Sequence, residues 1–275
     1  MEQWWINGQP GRLVDVADRG FTYGDGLFET IAVRSGKARF LAPHLDRLLG
    51  GCARLRIEAP ERPILEADLA TAACGIRHGV LKLIITRGVG PRGYGLPVES
   101  TTTVVLGAME SQPQLSLPIE IRWCETMASA NPATAGLKTL GRLDQVLARA
   151  EWTRPEVAEG LMTSTDGQLI GGTSSNVFLV ARDRALTPSL HRAGVAGVMR
   201  RVVMDTARRA GIEVVETALL PSAVHAATEL FVTNALTGIR PVRQLESRSW
   251  AAGPVTRRLQ ELLAVAGVGE CAVAF

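Results

Sequence analysis

The stretch AGLKTLGRLDQVLARAEW, residues 135–152, contains Lys138, and lysine is scarce throughout this chain. Of the 30 Lys and Arg residues, only three are lysines: Lys37, Lys82 and Lys138. A reaction that needs a deprotonatable primary amine, such as formation of a Schiff base with an aldehyde, therefore has three possible sites. A compositional preference for arginine explains the scarcity equally well, but the three positions are the same in either case.

Local sequence separates the three lysines. Lys37 lies in a predicted tight turn and is expected in solvent. Lys82 alternates with leucines in a predicted strand, which is typical of a half-exposed structural residue. Lys138 precedes an apolar run at helical spacing, so we predict a helix that packs its apolar face behind a lysine directed into a cleft; a structural lysine is the alternative. That run is Leu140, Leu143, Val146, Leu147 and Ala150.

Composition excludes several classes of protein. The chain has 275 residues, 46% of them hydrophobic and 21% charged, which is ordinary for a soluble globular protein. The net charge of +3 is spread over scattered arginines, so we expect no nucleic-acid partner. Four cysteines without CxxC spacing and four histidines indicate no metal site. The N-terminus lacks a signal-peptide pattern and no stretch approaches the ~20 apolar residues of a membrane span, so we expect a cytoplasmic protein.

Two parts of the chain, each with predicted helices and strands, flank a segment rich in Pro and Ser. We predict a two-domain α/β (α+β) protein with a small N-terminal α/β domain over 1–110, a linker over 111–118 and a larger C-terminal domain over 119–275. A single surface loop is the alternative to the linker. The predicted helices are 42–57, 62–78, the segment after Lys138, 194–211 and 254–266. The predicted strands are 4–8, two within 28–41, 79–88, 101–109, 119–125, 212–218, 229–236 and a strand–turn–strand over 160–181.

Backbone groups at one helix start indicate anion binding. GVAGVMR (194–200) opens a predicted helix, where free N–H groups and the helix dipole favour a phosphate. The signal is weak alone, because many helices begin with glycine. VTNAL (232–236), at a strand end, could supply further donors. Arg47 could clamp a phosphate with two hydrogen bonds, although a solvated helix arginine is the simpler interpretation.

Three spaced motifs resemble one family. DRGFTYGDGLFETIAV (18–33), the Lys138 segment and GGTSSNVFLV (171–180) occur in the order found in the fold type IV pyridoxal-phosphate enzymes. These are the branched-chain and D-amino-acid aminotransferases and the 4-amino-4-deoxychorismate lyases. The resemblance covers most of residues 4–260 and is closest to the lyases, in the Lys138 segment and in RGVGPRGYG (87–95). It implies a C-terminal pseudo-barrel, pyridoxal 5'-phosphate as cofactor and a small-molecule substrate.

The resemblance also implies roles for individual residues. Lys138 would be the Schiff-base lysine and general base, and Arg92 would bind a substrate carboxylate in a homodimer whose partner shares the site. The other implied cofactor-binding residues are Arg47, Ser174, Val198, Met199, Asn234 and Ala235, and the other implied substrate-binding residues are Tyr94 and Phe28. The acidic residues Asp25 and Glu29 are expected to be structural hydrogen-bonding groups.

Two positions depart from the family pattern. Gly171 stands where the family usually has a glutamate opposite the pyridine nitrogen, and Gly141 where asparagine is common. Without that carboxylate the cofactor is a weaker electron sink, which favours a lyase that forms an aromatic product over an aminotransferase. The predicted reaction is conversion of 4-amino-4-deoxychorismate to 4-aminobenzoate and pyruvate in folate biosynthesis. The alternatives are a D-amino-acid or branched-chain aminotransferase and a non-catalytic cofactor-binding paralogue.

Overall fold

A computed structural model describes residues 2–272 and divides the chain into two compact units. The first unit comprises Met1–Pro113 together with Leu137–Gly141, and the second comprises Gln114–Gly136 together with Arg142–Phe275. The Lys138 segment therefore groups with the N-terminal unit, whereas the sequence analysis assigned it to the C-terminal domain. The domain ranges derived from the sequence stay a prediction.

The first unit is a six-stranded antiparallel sheet with two longer helices. The strand order is β2-β1-β6-β5-β3-β4. Its elements are β1 (Glu2–Ile6), β2 (Gln9–Pro10), α1 (Arg19–Tyr23), β3 (Gly26–Arg34), β4 (Lys37–Ala38), α2 (Leu41–Leu55), α3 (Arg62–Ala73), β5 (His78–Thr86) and β6 (Thr103–Glu110).

Helix α2 covers the sheet through one apolar stripe. Leu45, Leu48 and Cys52 recur at intervals of three and four residues and are fully buried. They pack with alternate residues of β3 and β5, such as Ile31 and Leu83, in one hydrophobic cluster. This packing fixes β3 against α2, and both elements carry residues of the candidate site.

The second unit is built on a mixed nine-stranded sheet. The strand order is β12-β11-β10-β13-β14-β7-β8-β9, and β15 pairs with β14. Its elements are β7 (Ile119–Trp123), α4 (Leu143–Ala150), β8 (Val157–Thr163), β9 (Leu169–Gly172), β10 (Asn176–Ala181), β11 (Arg184–Pro188), α5 (Val198–Arg209), β12 (Val214–Thr217), α6 (Pro221–Ala226), β13 (Glu229–Asn234), β14 (Gly238–Leu245), β15 (Arg248–Ser249) and α7 (Pro254–Val265), followed by a 3₁₀ turn at Gly269–Cys271.

The centre of this sheet is nearly all apolar. β10 and β13 pair antiparallel, and the rings of Phe178 and Phe231 stack across the pair at 5.0 Å between centroids. Strands buried to this degree resist slippage, because a shift of one residue would move the whole set to the other face. The end of β13, where Asn234 lies, is therefore held at a fixed position.

The helix after Lys138 differs from the prediction. α4 begins only at Leu143, and Lys138 itself lies in an extended segment. The expected packing of the apolar run behind the lysine is wrong, since Leu143, Val146 and Leu147 are 74%, 60% and 59% exposed. Instead the small residue Ala148 is buried. Helical spacing located an apolar face correctly but could not say what covers it.

Other boundaries also changed. The helix predicted over 62–78 ends at Ala73, because β5 already begins at His78. The strand–turn–strand of 160–181 contains three strands, β8, β9 and β10. Elements α1, β11, α6 and β14 were not predicted. Among residues 2–272, no helix is long and apolar enough to cross a membrane.

Candidate active site

Two lysine amines meet at the ring of Phe28 in the first unit. The Phe28 N–H donates to the Lys138 carbonyl at 3.0 Å, and the Leu140 N–H donates to the Gly26 carbonyl at 3.0 Å, so residues 138–140 run alongside β3. The Nζ atom of Lys138 lies 4.2 Å from the centroid of the Phe28 ring, and Nζ of Lys82 lies 3.4 Å from the same centroid. Both distances are within the range of a cation–π contact.

Lys82 was missed as a site residue by the sequence analysis. It lies opposite Thr30 in the pairing of β3 with β5, and Phe28 lies two residues before Thr30 on the same face. Burial lowers the pKa of Lys82 to about 8, although the nearby negative charge of Glu29 opposes the shift. Only the register between β3 and β5 shows that Lys82 lies next to Phe28, and the sequence of one strand does not contain that register.

A buried ionic cluster holds Arg47. Nε of Arg47 donates to Oε1 of Glu29 at 2.8 Å and Nη2 donates to Oε2 at 2.5 Å. Nδ1 of His44 lies 2.6 Å from Oε2 of the same carboxylate, and Glu29 and His44 are each 1% exposed. The expectation that Glu29 serves as a hydrogen-bonding group agrees with this geometry.

The protonation states in this cluster follow from burial and charge. Burial would raise the pKa of Glu29, but hydrogen bonds from His44 and Arg47 outweigh it and lower the pKa below its usual value. Burial lowers the pKa of His44. At neutral pH the cluster therefore contains an ionised Glu29, a neutral His44 and a charged Arg47 in a fixed orientation.

Arg92 and Tyr94 lie on an exposed loop after β5. Tyr94 is 87% exposed, and its ring meets Tyr23 of α1 edge to face at 5.6 Å between centroids. Residues 91–94 contact Arg19 and Tyr23 of α1, whereas Phe28 and Lys82 lie on β3 and β5. The single chain thus separates the two sets of residues.

In the second unit, Glu159 fixes the loop that carries Ser174. Its carboxylate, 4% exposed, accepts hydrogen bonds from the backbone N–H of Thr173 and Ser174 and from the hydroxyl groups of Thr173, Ser174 and Ser175. The sequence analysis did not single out Glu159. An acidic residue inside an otherwise apolar strand was the available signal.

The start of α5 presents backbone groups. No side chain caps this helix at Gly197, so its first N–H groups are available to an anion. The side chains of Val198 and Met199 are buried, which leaves only their backbone to bind a ligand. A Cβ atom at position 197 would lie 2.0 Å from Oδ1 of Asn176, so glycine is required for this close approach.

Asn176 connects the predicted cofactor segments of this unit. Its amide donates to the Val195 carbonyl at 2.8 Å, just before α5, and it pairs with Thr233 across β10 and β13. Asn234 follows Thr233, and its Oδ1 accepts from the N–H groups of Leu236 and Thr237. The segments containing Ser174, Val198, Met199, Asn234 and Ala235 are thereby brought together.

The two glycines that depart from the family pattern lie in different surroundings. Gly171 has a φ angle of 157°, and a Cβ atom there would lie 2.9 Å from the carbonyl oxygen of Ser175, so a side chain at this position would strain the backbone of the loop. A Cβ atom at Gly141 would meet nothing within 4 Å. Glu159 does not replace the missing carboxylate, because its oxygens are engaged by residues 173–175.

Comparison with known proteins places the chain in a family. The family model described as amino-transferase class IV matches residues 26–245. A protein named aminodeoxychorismate lyase from Vibrio harveyi is 32% identical over 266 residues, which cover 93% of this chain and 97% of the relative. The chain belongs to the class IV aminotransferase family.

Solved structures agree with this assignment. The 4-amino-4-deoxychorismate lyase from Pseudomonas aeruginosa superposes with a TM-score of 0.90 at 39% identity, covering 96% of this chain and 99% of that one. By sequence alone, the chain is also 27% identical to a D-alanine aminotransferase from Listeria innocua, over 94% of this chain and 92% of the relative. A hypothetical aminotransferase from Mycobacterium tuberculosis, solved in its PLP-bound form, shares the fold with a TM-score of 0.81 at 20% identity, covering 98% of this chain and 99% of that one. The predicted mixed α/β, fold type IV architecture is confirmed.

Proposed function

We propose that this protein is a pyridoxal-phosphate-dependent lyase that converts 4-amino-4-deoxychorismate to 4-aminobenzoate and pyruvate. The observation that carries the proposal is the pair of amines at Phe28, in a chain similar to two named lyases over nearly its whole length. A free amine is needed to hold an aldehyde cofactor, and a second cation suits a substrate with two carboxylates.

The residues present fit pyridoxal phosphate. In the first unit, Lys138 would hold the aldehyde, and Arg47 would be a phosphate ligand as the family resemblance implies. In the second unit, the uncapped start of α5 offers N–H groups to a phosphate, and Ser174, Asn234 and Ala235 would be further cofactor-binding residues. When bound, the group supplies an aldehyde for an amine and a ring that accepts electrons from the adjacent carbon.

The reaction needs one proton moved and one group expelled. Nζ of Lys138, once the substrate amine has taken its place, would remove the proton from C4 of the substrate. The same nitrogen can return a proton as pyruvate leaves. Loss of the C4 proton and of pyruvate makes the ring aromatic. Because the aromatic product is stable, the reaction needs less electron withdrawal by the cofactor.

Charged side chains would hold the two carboxylates of the substrate. Lys82 lies at the same ring as Lys138, so its ammonium group could pair with a carboxylate close to the reacting carbon. In the proposed homodimer, Arg92 from a second copy of the chain would bind the other carboxylate, with Tyr94 beside it. Phe28 would provide an apolar surface for the cyclohexadiene ring.

We further propose a cytoplasmic homodimer. The exposed apolar side chains Leu143, Val146 and Leu147 form one face of α4 and would be covered by a second copy of the chain. The described cysteines carry free thiols, which suits a reducing compartment.

The decisive test compares wild type with Lys138→Ala. Purified protein loaded with pyridoxal phosphate is mixed with 4-amino-4-deoxychorismate, and 4-aminobenzoate and pyruvate are measured together. We expect equal amounts of both from the wild type and a loss of about 10³-fold or more in the variant. Lys37→Ala, which removes an exposed amine on a turn, is the matched control.

Two other outcomes would identify the alternatives. Formation of pyridoxamine phosphate from D-alanine or a branched-chain amino acid, without 4-aminobenzoate, would indicate an aminotransferase. A bound chromophore that turns over neither amine would indicate a non-catalytic binding protein. Full lyase activity in Lys138→Ala would overturn the mechanism.

A further inference from the structure

The backbone on both sides of Arg92 is held by one buried side chain. Nη1 of Arg19 donates to the Gly93 carbonyl at 2.9 Å and to the Pro91 carbonyl at 3.4 Å. Arg19 is only 3% exposed, whereas Arg92 between these two carbonyls is exposed. A fixed guanidinium therefore restrains the backbone on both sides of the exposed Arg92 side chain.

Tyr23 makes a second attachment to the same segment. Its hydroxyl oxygen accepts a hydrogen bond from the Gly93 N–H at 2.8 Å. Its ring lies 4.8 Å from the Arg19 guanidinium carbon and meets the ring of Tyr94 edge to face. Arg19 and Tyr23 together hold the backbone of Arg92 and the ring of Tyr94.

The Arg19 side chain is anchored in turn by a shared carboxylate. Oδ2 of Asp25 accepts from Nε of Arg19 at 3.0 Å and from Nε of Arg87 at 2.7 Å. Arg87 also donates to the carbonyls of Leu55 and Arg56 at the end of α2. The loop is thus connected through buried ionic contacts to a helix in the core of the first unit.

We propose that Arg19, with Tyr23, is a positioning residue that directs the side chains of Arg92 and Tyr94 toward the substrate carboxylate. The inference rests on the proposed function, in which Arg92 binds that carboxylate. Arginine is required here because one planar guanidinium reaches Asp25 through Nε and two carbonyls through Nη1. Lysine would keep the charge but could not make this set of contacts.

The first test measures whether the loop is held. In Arg19→Lys and Tyr23→Phe, we expect trypsin to cleave the Arg92–Gly93 bond of the folded protein faster than in the wild type. Mass spectrometry of the peptide that ends at Arg92 measures the rate. Arg62→Lys is the matched control. Arg62 lies at the start of α3, where its guanidinium pairs with Asp46 of α2 and with Glu66 of α3. Unchanged thermal unfolding of Tyr23→Phe would exclude general destabilisation as the cause.

The second test measures whether the restraint serves the substrate. We expect Arg19→Lys and Tyr23→Phe to raise KM for 4-amino-4-deoxychorismate about five- to tenfold, with a smaller effect on kcat. In an Arg92→Ala/Tyr94→Ala background the same substitutions should change KM little, since both groups that they position are gone. A purely structural role would give the same relative change in both backgrounds.

These measurements distinguish the failure of each claim. Equal cleavage rates at Arg92–Gly93 in all variants, or equal KM changes in the presence and absence of Arg92 and Tyr94, would overturn the positioning role. A wild type without lyase activity would overturn the proposed function instead, and the cleavage rates would still decide whether Arg19 and Tyr23 hold the loop.

Discussion

At the scale of single residues, burial brings the charge change of Lys82 into a pH range where enzymes are commonly assayed. Its pKa is lowered to about 8 by burial, so its ammonium form predominates below pH 8 and is lost above it. An ordinary lysine would stay charged to about pH 10. Binding of an anionic substrate should therefore weaken within the range in which the enzyme can be assayed.

We expect KM for 4-amino-4-deoxychorismate to rise above pH 8, by up to about tenfold per pH unit while Lys82 is the group that titrates. Lys82→Arg should keep KM low to higher pH, because arginine stays charged, and Lys82→Met should raise KM at every pH. Initial rates from pH 6.5 to 9.5 give the profile. A wild-type KM that is constant over this range would remove Lys82 from substrate binding.

Gly171 allows a prediction about the type of reaction. Gly171→Glu would place a carboxylate where the family usually has one and should strengthen the cofactor as an electron sink. We expect faster formation of pyridoxamine phosphate from D-alanine, measured by absorbance. Gly171→Gln imposes the same steric demand on the Ser175 carbonyl but carries no charge, so it is the matched control. Equal rates in the two variants would show that charge is not the determinant.

At the scale of elements, the Glu29 cluster joins β3 to α2. Glu29→Gln removes the charge that binds Arg47 and should lower the free energy of unfolding by about 1–3 kcal/mol at pH 7. The pKa of Glu29 is lowered in the folded protein, so its contribution is present above the unfolded value and is lost as the pH falls through the folded one. The difference between wild type and variant should therefore shrink below about pH 4.5.

Urea unfolding at several pH values between 3.5 and 7 measures this difference. Glu66→Gln is the control. The Glu66 side chain is 44% exposed, and its ion pair with Arg62 is long, at 3.6 Å. The control should change stability by less than about 0.5 kcal/mol. A difference for Glu29→Gln that does not depend on pH would contradict the assigned ionisation.

Local sequence predicted the elements wherever a turn or an apolar stripe decides them. The Ser35–Gly36 turn has positive φ angles and joins the two strands that were predicted within 28–41. Helix α2 followed from its apolar spacing. The packing of α4 could not be predicted, because the spacing of apolar residues on a helix does not say which surface covers them.

The same limit applies to the candidate site. Lys138 could be selected from three lysines by its neighbours alone, while most other site residues came from the family resemblance. Lys82, Glu159 and Arg19 were missed. Lys82 lies opposite Thr30 across a strand pair, Glu159 binds the loop 173–175, and Arg19 binds the loop 91–93. Such contacts depend on strand register and burial, which no single segment encodes.

At the scale of the whole molecule, the apolar face of α4 makes the assembly testable. We expect sedimentation to give twice the mass of the 29.4 kDa chain. Val146→Glu with Leu147→Glu should shift the protein toward the monomer, because two charges would be buried without partners in the interface. Glu261→Gln on α7 is a control at an exposed site. A dimer unaffected by the double substitution would place the interface elsewhere.

The shortage of lysine also has a practical consequence. Lys37 is exposed at the β3–β4 turn, whereas Lys82 and Lys138 are half-buried beside Phe28. Among side chains, an amine-reactive resin or bulky dye should therefore couple mainly at Lys37, because access to the half-buried Lys82 is restricted even though its lowered pKa favours the reactive neutral amine. Fluorophores would attach at a defined place, and immobilised molecules would share one orientation, without engineering of the chain.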